Sequence, residues 1–248
     1  MDRLVHTALS AMRGAMQRQA ATANNLANAS TTGFRAEVSA AQAVYMADES
    51  DGEVFGARTA QQVLSADMAA GTVTQTGRPL DIALGGDAML AVQARNGEEA
   101  YTRRGDLQIS DSGLVTTGDG TPVLAEGGPL TIPPADNVRI DADGAVWIVP
   151  VGGDPNNPTQ VDRLKLVSPQ GSRIAKGLDG LFRVRGGGTL PSDPDARVIT
   201  GSLEGSNVNV SSALIDMIEA SRAWDNQMNL ITSARDMDTS AADLMRLP

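Results

Sequence analysis

The sequence predicts an α+β fold, in which an all-β central domain is inserted between N-terminal and C-terminal helices that pair as a coiled-coil-like unit. Three observations predict it. Near both ends of the chain, apolar residues recur at alternating intervals of three and four, the spacing of a heptad stripe. Between the ends, they recur at every second position in short runs separated by turns. The arms also differ in charge: residues 1–36 hold four arginines and one aspartate, whereas residues 211–248 hold three arginines and six carboxylates.

The N-terminal arm is predicted to be an amphipathic helix that runs into a compact turn. No proline occurs in it, and Gly14 is the only glycine before Gly33. The side chains expected to face the C-terminal helix of the same or a neighbouring chain are Leu4, Val5, Leu9, Met12, Met16 and Leu26.

The C-terminal arm is predicted to be a second helix, because no glycine or proline interrupts residues 211–247. Ser211 and Ser212 are the candidate N-cap residues. The side chains expected to face the N-terminal helix are Leu214, Met217, Ile218, Trp224, Met228 and Ile231.

The middle of the chain is predicted to be a set of short β-strands. Apolar residues alternate with other residues over 80–84, and further candidate strands lie at 107–109, 138–140, 145–149, 164–167 and 182–184. The Asp143-Gly144 pair between two of these runs is typical of a hairpin turn.

These patterns divide the chain into three parts. A terminal helical domain is expected at 1–36 and 211–248, and a central β domain at 76–185. The segments 37–75 and 186–210 fit neither pattern, so we expect a connector domain with some extended structure.

The composition favours a protein that is neither an enzyme nor a metal or cofactor binder. The chain of 248 residues contains no cysteine, and its one histidine, His6, lacks the partners that a metal site or catalytic relay needs. Aromatic residues make up 3%, so the core must be aliphatic. The net charge of -10 argues against binding to nucleic acid or anionic membranes. Neither a membrane span nor a cleaved signal peptide is expected, so any export would use another route.

Several stretches of the sequence resemble the flagellar rod and hook axial-protein family. They are ANNLANASTTGF at 23–34, TGRPLDIALGG at 76–86, YTRRG at 101–105, LEGSNVNV at 203–210, and MI and RA within 217–223. They occur in the family's order and span the chain. The residues that carry the resemblance include Asn24, Asn25, Leu26, Asn28, Thr32, Gly33, Phe34, Leu80, Asp81, Ser206, Asn207 and Asn209. The chain departs from the family at 88–90, where Ala-Met-Leu replaces Gly-Phe-Phe and predicts aliphatic packing.

The resemblance implies a structural subunit of the flagellar basal-body rod, the helical drive shaft that transmits torque from motor to hook. Within the family, the opening residues and the modest length most resemble the proximal-rod members, and a distal-rod subunit is the alternative. The implied partners are copies of the chain, other rod proteins and the flagellar type III export apparatus. The implied location is the periplasm-spanning rod.

Three other interpretations remain open at this stage. By its residues alone, the stretch 23–34 also fits an ordinary helix end and turn. A β binding module displayed on a coiled-coil stalk would form a discrete trimer, for which the apolar stripes are short. A hydrolase with two carboxylates is a further class, although no acid stands in a recognisable catalytic context.

Overall fold

A computed structural model describes residues 2–47 and 54–244. The chain folds into two compact units, each discontinuous in sequence. The first, called the helical unit, comprises Met1–Ala27, Glu37–Ser65 and Asn209–Pro248. The second, called the β unit, comprises Asn28–Ala36 and Ala66–Val208.

The helical unit contains the two helices and two long strands. Their bounds are α1 Asp2–Ala27, β1 Glu37–Ala47, β2 Val54–Ala66 and α2 Val210–Leu244. The strands β1 and β2 form a two-stranded sheet, and α1 contacts both α2 and β1. The predicted helix at each end and the predicted β-rich centre are confirmed, so the fold is α+β. The coiled-coil geometry of the helix pair stays a prediction.

The start of α2 differs from the sequence-based prediction. The helix begins at Val210, and Asn209 is its N-cap. Asn209 Oδ1 accepts a hydrogen bond from Ser212 N at 3.1 Å, which satisfies one of the free amides of the first turn. The prediction that Ser211 or Ser212 would cap the helix is therefore wrong, because both already lie inside it.

The β unit is built from short strands. They are β3 Val73–Gln75, β4 Ile82–Leu84, β5 Met89–Gln93, β6 Glu99–Thr102, β7 Leu107–Ile109, β8 Val115–Thr117, β9 Leu124–Ala125, β10 Gly128–Pro129, β11 Ala135–Ile140, β12 Ala145–Pro150, β13 Thr159–Arg163, β14 Leu166–Val167, β15 Ile174–Lys176, β16 Phe182–Val184, β17 Val198–Thr200 and β18 Ser202–Glu204. The largest sheet is antiparallel with the order β14-β5-β6-β16-β15, and a second sheet has the order β11-β12-β13. The other strands of the unit form two-stranded pairs: β4 with β17, β3 with β18, β7 with β8, and β9 with β10.

The hairpin predicted at Asp143-Gly144 is confirmed. It joins β11 to β12, and the register places Val138 opposite Ile148. Gly144 has a φ of 84°, a backbone conformation that glycine adopts without strain. The dipeptide and the period-two pattern on either side of it were sufficient to predict this element.

The core of the β unit is mainly aliphatic, as the composition predicts. Its larger apolar cluster contains no aromatic side chain and includes Ile82, Leu84, Leu90, Val92, Leu107, Val115, Ile140, Val146, Leu164 and Leu166. A smaller cluster contains Met89, Tyr101 and Phe182. Met89 and Leu90 are fully buried. The aliphatic packing predicted at 88–90 is found for Leu90, in the larger cluster, whereas Met89 packs with Tyr101 and Phe182.

Candidate assembly site

The end of α1 is tied to the start of β1 by two asparagine side chains. Asn25 Nδ2 donates to the Glu37 carbonyl at 2.9 Å, and Asn25 Oδ1 accepts from Glu37 N at 2.7 Å. The amide of Asn25 thus pairs with both backbone groups of one residue, as a neighbouring strand would. Asn24 Nδ2 donates to the Glu37 carboxylate at 2.7 Å. Both asparagines therefore fix the path of the chain within the helical unit.

Replacing Asn25 by alanine is expected to lower the free energy of unfolding of the helical unit by about 1–2 kcal/mol, because both backbone groups of Glu37 lose a partner. Unfolding in urea, followed by Trp224 fluorescence in a Trp147→Phe background, measures the loss. Asn24→Ala is the matched control, since it makes the same change in helix propensity one residue earlier and its bond to Glu37 is solvent-exposed. An equal loss in both variants would contradict the role given to the paired amide.

Between α1 and β1 the chain forms a segment that belongs to the β unit, residues 28–36, which we call the strap. It begins with a turn in which Thr31 N donates to the Asn28 carbonyl and Thr31 Oγ1 donates to Asn28 Oδ1, both at 3.1 Å. Thr32 is half-buried. This turn ends the helical path and directs the strap onto the β unit.

Gly33 lies where the strap approaches the β unit most closely. Its amide donates to the Glu204 carbonyl at 2.8 Å, and its φ is 66°. A Cβ atom at this position would lie 2.3 Å from the Arg103 carbonyl oxygen. Both the backbone conformation and the lack of space therefore require glycine.

A buried charge cluster lies beneath the strap. Glu204, on β18, faces Arg35 of the strap and Arg103 of the segment that follows β6, and all three residues are at most 2% exposed. Arg35 Nη2 lies 2.7 Å from Glu204 Oε1, and Arg103 Nη2 lies 2.7 Å from Glu204 Oε2. The amide of Gly71 also donates to Glu204 Oε1 at 2.8 Å. One carboxylate thus holds two guanidinium groups and links three segments of the chain.

The two arginines of this cluster are satisfied to different degrees. Arg103 donates to Glu204 and to the carbonyls of Leu84, Gly86 and Ala88 at 2.7–2.8 Å. Arg35 bonds to Glu204 through Nη2, while its buried Nε and Nη1 have no hydrogen-bond partner among the described residues. Burial lowers the pKa of Arg35, the nearby Arg103 lowers it further, and the carboxylates of Glu204 and Asp67 oppose both effects.

Asn207 fastens the strap to two other segments. Its Oδ1 accepts from Ala36 N at 2.7 Å, and its Nδ2 donates to the carbonyls of Asp67 and Ala69, both at 2.9 Å. Its backbone amide donates to the Phe34 carbonyl at 3.3 Å. A shorter or apolar side chain cannot make these bonds, which accounts for an asparagine at this position.

The Phe34 ring of the strap contacts Lys176 of β15. Lys176 Nζ lies 3.6 Å from the centroid of the Phe34 ring and donates to the Arg35 carbonyl at 3.0 Å. The Phe34 ring is half-buried, so it serves as a platform for a cation rather than as a core residue.

The other residues that carry the family resemblance also make structural contacts. Asp81 is buried, accepts from Thr76 Oγ1 at 2.7 Å and from Arg78 Nε at 2.8 Å, and fixes the turn before β4. Leu80 packs against the larger apolar cluster. Ser206 Oγ accepts from Val208 N at 3.2 Å on the way to α2.

The side chains predicted to form a helix interface occupy different positions. Met12, Leu26, Met217, Trp224 and Ile231 are half-buried. Five others are exposed: Leu9, Met16, Leu214, Ile218 and Met228. The side chains of Leu4 and Val5 lie outside the described part of the structure, as does that of His6. Among the helix side chains that the structure describes, the most completely buried are small, namely Ala15, Ala21, Ala213 and Ala220.

No group of three or more His, Cys, Asp or Glu side chains in residues 2–47 and 54–244 is arranged to hold a metal ion. In those same ranges, neither helix is apolar enough over a sufficient length to cross a membrane.

Comparison with known proteins gives matches in three parts of the chain. Residues 6–35 match the family described as "Flagella basal body rod protein", and residues 83–148 match the "Flagellar hook protein FlgE/F/G D1 domain". Residues 199–244 match "Flagellar basal body rod FlgEFG protein C-terminal". The strap therefore lies at the C-terminal end of the first matched region, and Glu204 and Asn207 lie in the last one.

Full-length relatives extend these matches. The chain is 41% identical to the flagellar basal-body rod protein FlgF of Salmonella typhimurium and 40% identical to FlgF of Escherichia coli, in each case over 100% of both chains. The chain belongs to the flagellar basal-body rod protein family. It is most like FlgF and is a structural subunit of the rod. It is also 27% identical to FlgG of Bacillus subtilis, over 99% of this chain and all of that protein.

The three residues of the buried charge cluster lie in or beside stretches that carry the family resemblance, but the sequence did not predict that they form a site. Arg35 directly follows ANNLANASTTGF, Arg103 lies in YTRRG and Glu204 lies in LEGSNVNV. The available signal was that an arginine or a glutamate stands in each of three short stretches that carry the resemblance. Nothing local to any of them indicates that the three side chains meet.

Proposed function

We propose that the chain is a proximal-rod subunit whose terminal helices pack as a coiled-coil-like layer against those of neighbouring copies and of other rod proteins. The proximal position is supported by the full-length match to two FlgF relatives at 41% and 40% identity. A density map of the isolated basal body with this chain placed in it tests that position.

The observation that carries the proposal is the apolar surface that both helices leave exposed. A helix that packs only within its own chain usually buries its large apolar side chains. Here the exposed ones are Leu9, Met16, Val210, Leu214, Ile215, Ile218, Met228, Leu230 and Met237. Large apolar side chains left exposed in such number on two helices are typical of an interaction site.

The division between buried and exposed residues supports assembly between chains. Within one chain the helices bury alanines, which allow close approach but contribute little apolar area. The larger side chains stay available for other subunits. Repeated contacts that do not close into a ring generate an open helical filament, the form that a drive shaft requires.

A rod subunit of this kind transmits torque and must be exported before it assembles. Torque passes through many copies locked by their helices, and no enzymatic step, cofactor, nucleic acid or membrane insertion is involved. The type III export apparatus delivers the chain to the periplasm-spanning rod. The three-part division into terminal helices, connector and central β domain stays part of the proposal.

Replacing Ile218 by aspartate is expected to reduce incorporation into the rod by at least about tenfold, because assembly would bury an unpaired carboxylate. Ile218 is 54% exposed in the single chain, so the purified variant should keep its helix content and thermal stability. The measurements are the amount of variant in isolated basal bodies and the swimming of a bacterium that lacks its own copy.

Asn226→Asp is the matched control, since it adds the same charge at an exposed polar position of α2. It should assemble like the natural chain. Normal swimming with Ile218→Asp would mean that this face of α2 is not an assembly surface. A discrete trimer of the purified chain in solution would favour the binding-module alternative instead.

A further inference from the structure

The strap is held to the β unit by polar contacts rather than by apolar packing. Backbone hydrogen bonds join Gly33 N to the Glu204 carbonyl and Asp67 N to the Ala36 carbonyl, both at 2.8 Å. Asn207 and Lys176 supply the side-chain bonds already described. None of the strap's described side chains is a member of either apolar cluster of the β unit. Releasing the strap would therefore expose little apolar area, and it would leave both clusters intact.

The burial of Arg35 destabilises the closed state of the strap. Its guanidinium is 1% exposed, two of its nitrogens have no hydrogen-bond partner among the described residues, and it shares one carboxylate with the positive charge of Arg103. A buried donor without a partner costs its full desolvation free energy, and a surplus buried charge adds to that cost. Opening the strap returns Arg35 to water and removes both penalties.

The carboxylate does not lose all its partners when Arg35 leaves. Glu204 Oε2 keeps two bonds from Arg103, at 2.8 Å from Nε and 2.7 Å from Nη2, and Glu204 Oε1 keeps the bond from Gly71 N. Arg103 also keeps its three carbonyl partners. The open state thus retains a balanced ion pair, one carboxylate with one guanidinium, inside the β unit.

We propose that the strap is a latch that opens and closes while the rest of the β unit stays folded, and that Arg35 limits the stability of its closed state. The strap is the whole connection between α1 and β1, so opening the latch frees the chain between these two elements. This inference rests on the contacts of the strap alone and does not depend on the position of the subunit in the rod.

Hydrogen exchange of the purified full-length chain tests the latch directly. The amides of Gly33 and Ala36 should exchange by local opening, with rates that do not change at low denaturant concentrations, because local opening exposes little surface. The amide of Ala91, bonded to the Lys165 carbonyl at 3.0 Å in the largest sheet, should exchange only by a denaturant-dependent route. The same denaturant dependence at all three amides would overturn the proposal.

Two substitutions with opposite expected effects test the role of Arg35. Arg35→Met removes the surplus charge and the unpartnered donors, and it should slow exchange at Ala36 by about tenfold. Lys176→Met removes the bond to the Arg35 carbonyl and should speed exchange there. If Arg35→Met instead speeds exchange at Ala36, Arg35 is an anchor of the strap and the proposal is wrong. The hydrogen-exchange measurement on the natural chain tests the latch even if one of the variants does not fold.

Discussion

Replacing Gly33 by alanine is expected to destabilise the closed strap by about 2–5 kcal/mol. An alanine at the observed φ of 66° costs about 1–2 kcal/mol. Its Cβ would also lie 2.3 Å from the carbonyl oxygen of Arg103, and moving the backbone to relieve such an overlap costs a further 1–3 kcal/mol or so. The strap should therefore open in most molecules, while the apolar clusters of the β unit stay packed.

Limited proteolysis with trypsin measures this effect. Arg35 is buried in the natural chain, so the bond after it is cleaved only from the open state, and the cleavage rate follows the population of that state. Gly33→Ala should raise the yield of the Arg35–Ala36 cleavage product at least tenfold, as measured by mass spectrometry. The same variant should assemble poorly into the rod.

Gly97→Ala is the matched control for this experiment. Gly97 has a φ of 83°, and an added Cβ there would meet no heavy atom within 4 Å. It therefore carries the conformational cost without the overlap. Equal cleavage after Arg35 in the two variants would mean that Gly33 is not needed to keep the strap closed.

Local signals in the sequence were sufficient for the elements they describe. Period-three-and-four spacing predicted α1 and α2, and the Asp143-Gly144 turn predicted the hairpin between β11 and β12. The strands β1 and β2 gave no such signal. The sequence of β1, EVSAAQAVYMA, is rich in alanine and does not alternate, so neither the propensity nor the periodicity of a strand was present.

Local sequence patterns predicted only part of the candidate site. The turn at Gly33 could be predicted from the residues around it, and so could the importance of the neighbouring asparagines. The meeting of Arg35, Arg103 and Glu204 could not, because the three lie far apart in the chain and tertiary contacts alone bring them together. The heptad stripe likewise indicated helix faces, but not how each helix is rotated. The structure buries Ala15 and Ala213 and leaves Leu9 and Leu214 exposed, a rotation that the stripe alone does not specify.

Replacing Glu204 by glutamine is expected to lower the free energy of unfolding of the β unit by about 3–5 kcal/mol, because it leaves buried guanidinium groups without a counter-charge. Arg35 can escape into water with the strap. Arg103 cannot, since the carbonyls of Leu84, Gly86 and Ala88 hold it inside the unit. Denaturant unfolding followed by Trp147 fluorescence in a Trp224→Phe background measures the loss, and Glu126→Gln, which alters an exposed carboxylate, is the control.

Combining Glu204→Gln with Arg35→Met distinguishes the energetic contribution of the Arg35 guanidinium from that of Arg103. Removal of Arg35 takes away one of the two uncompensated charges, so the strap should close again more readily than in Glu204→Gln alone, and part of the lost stability should return. The remaining loss comes from Arg103, which lacks its carboxylate in both variants and is held by the carbonyls of Leu84, Gly86 and Ala88. Additive effects of the two substitutions would contradict this account, because side chains that share one carboxylate must be energetically coupled.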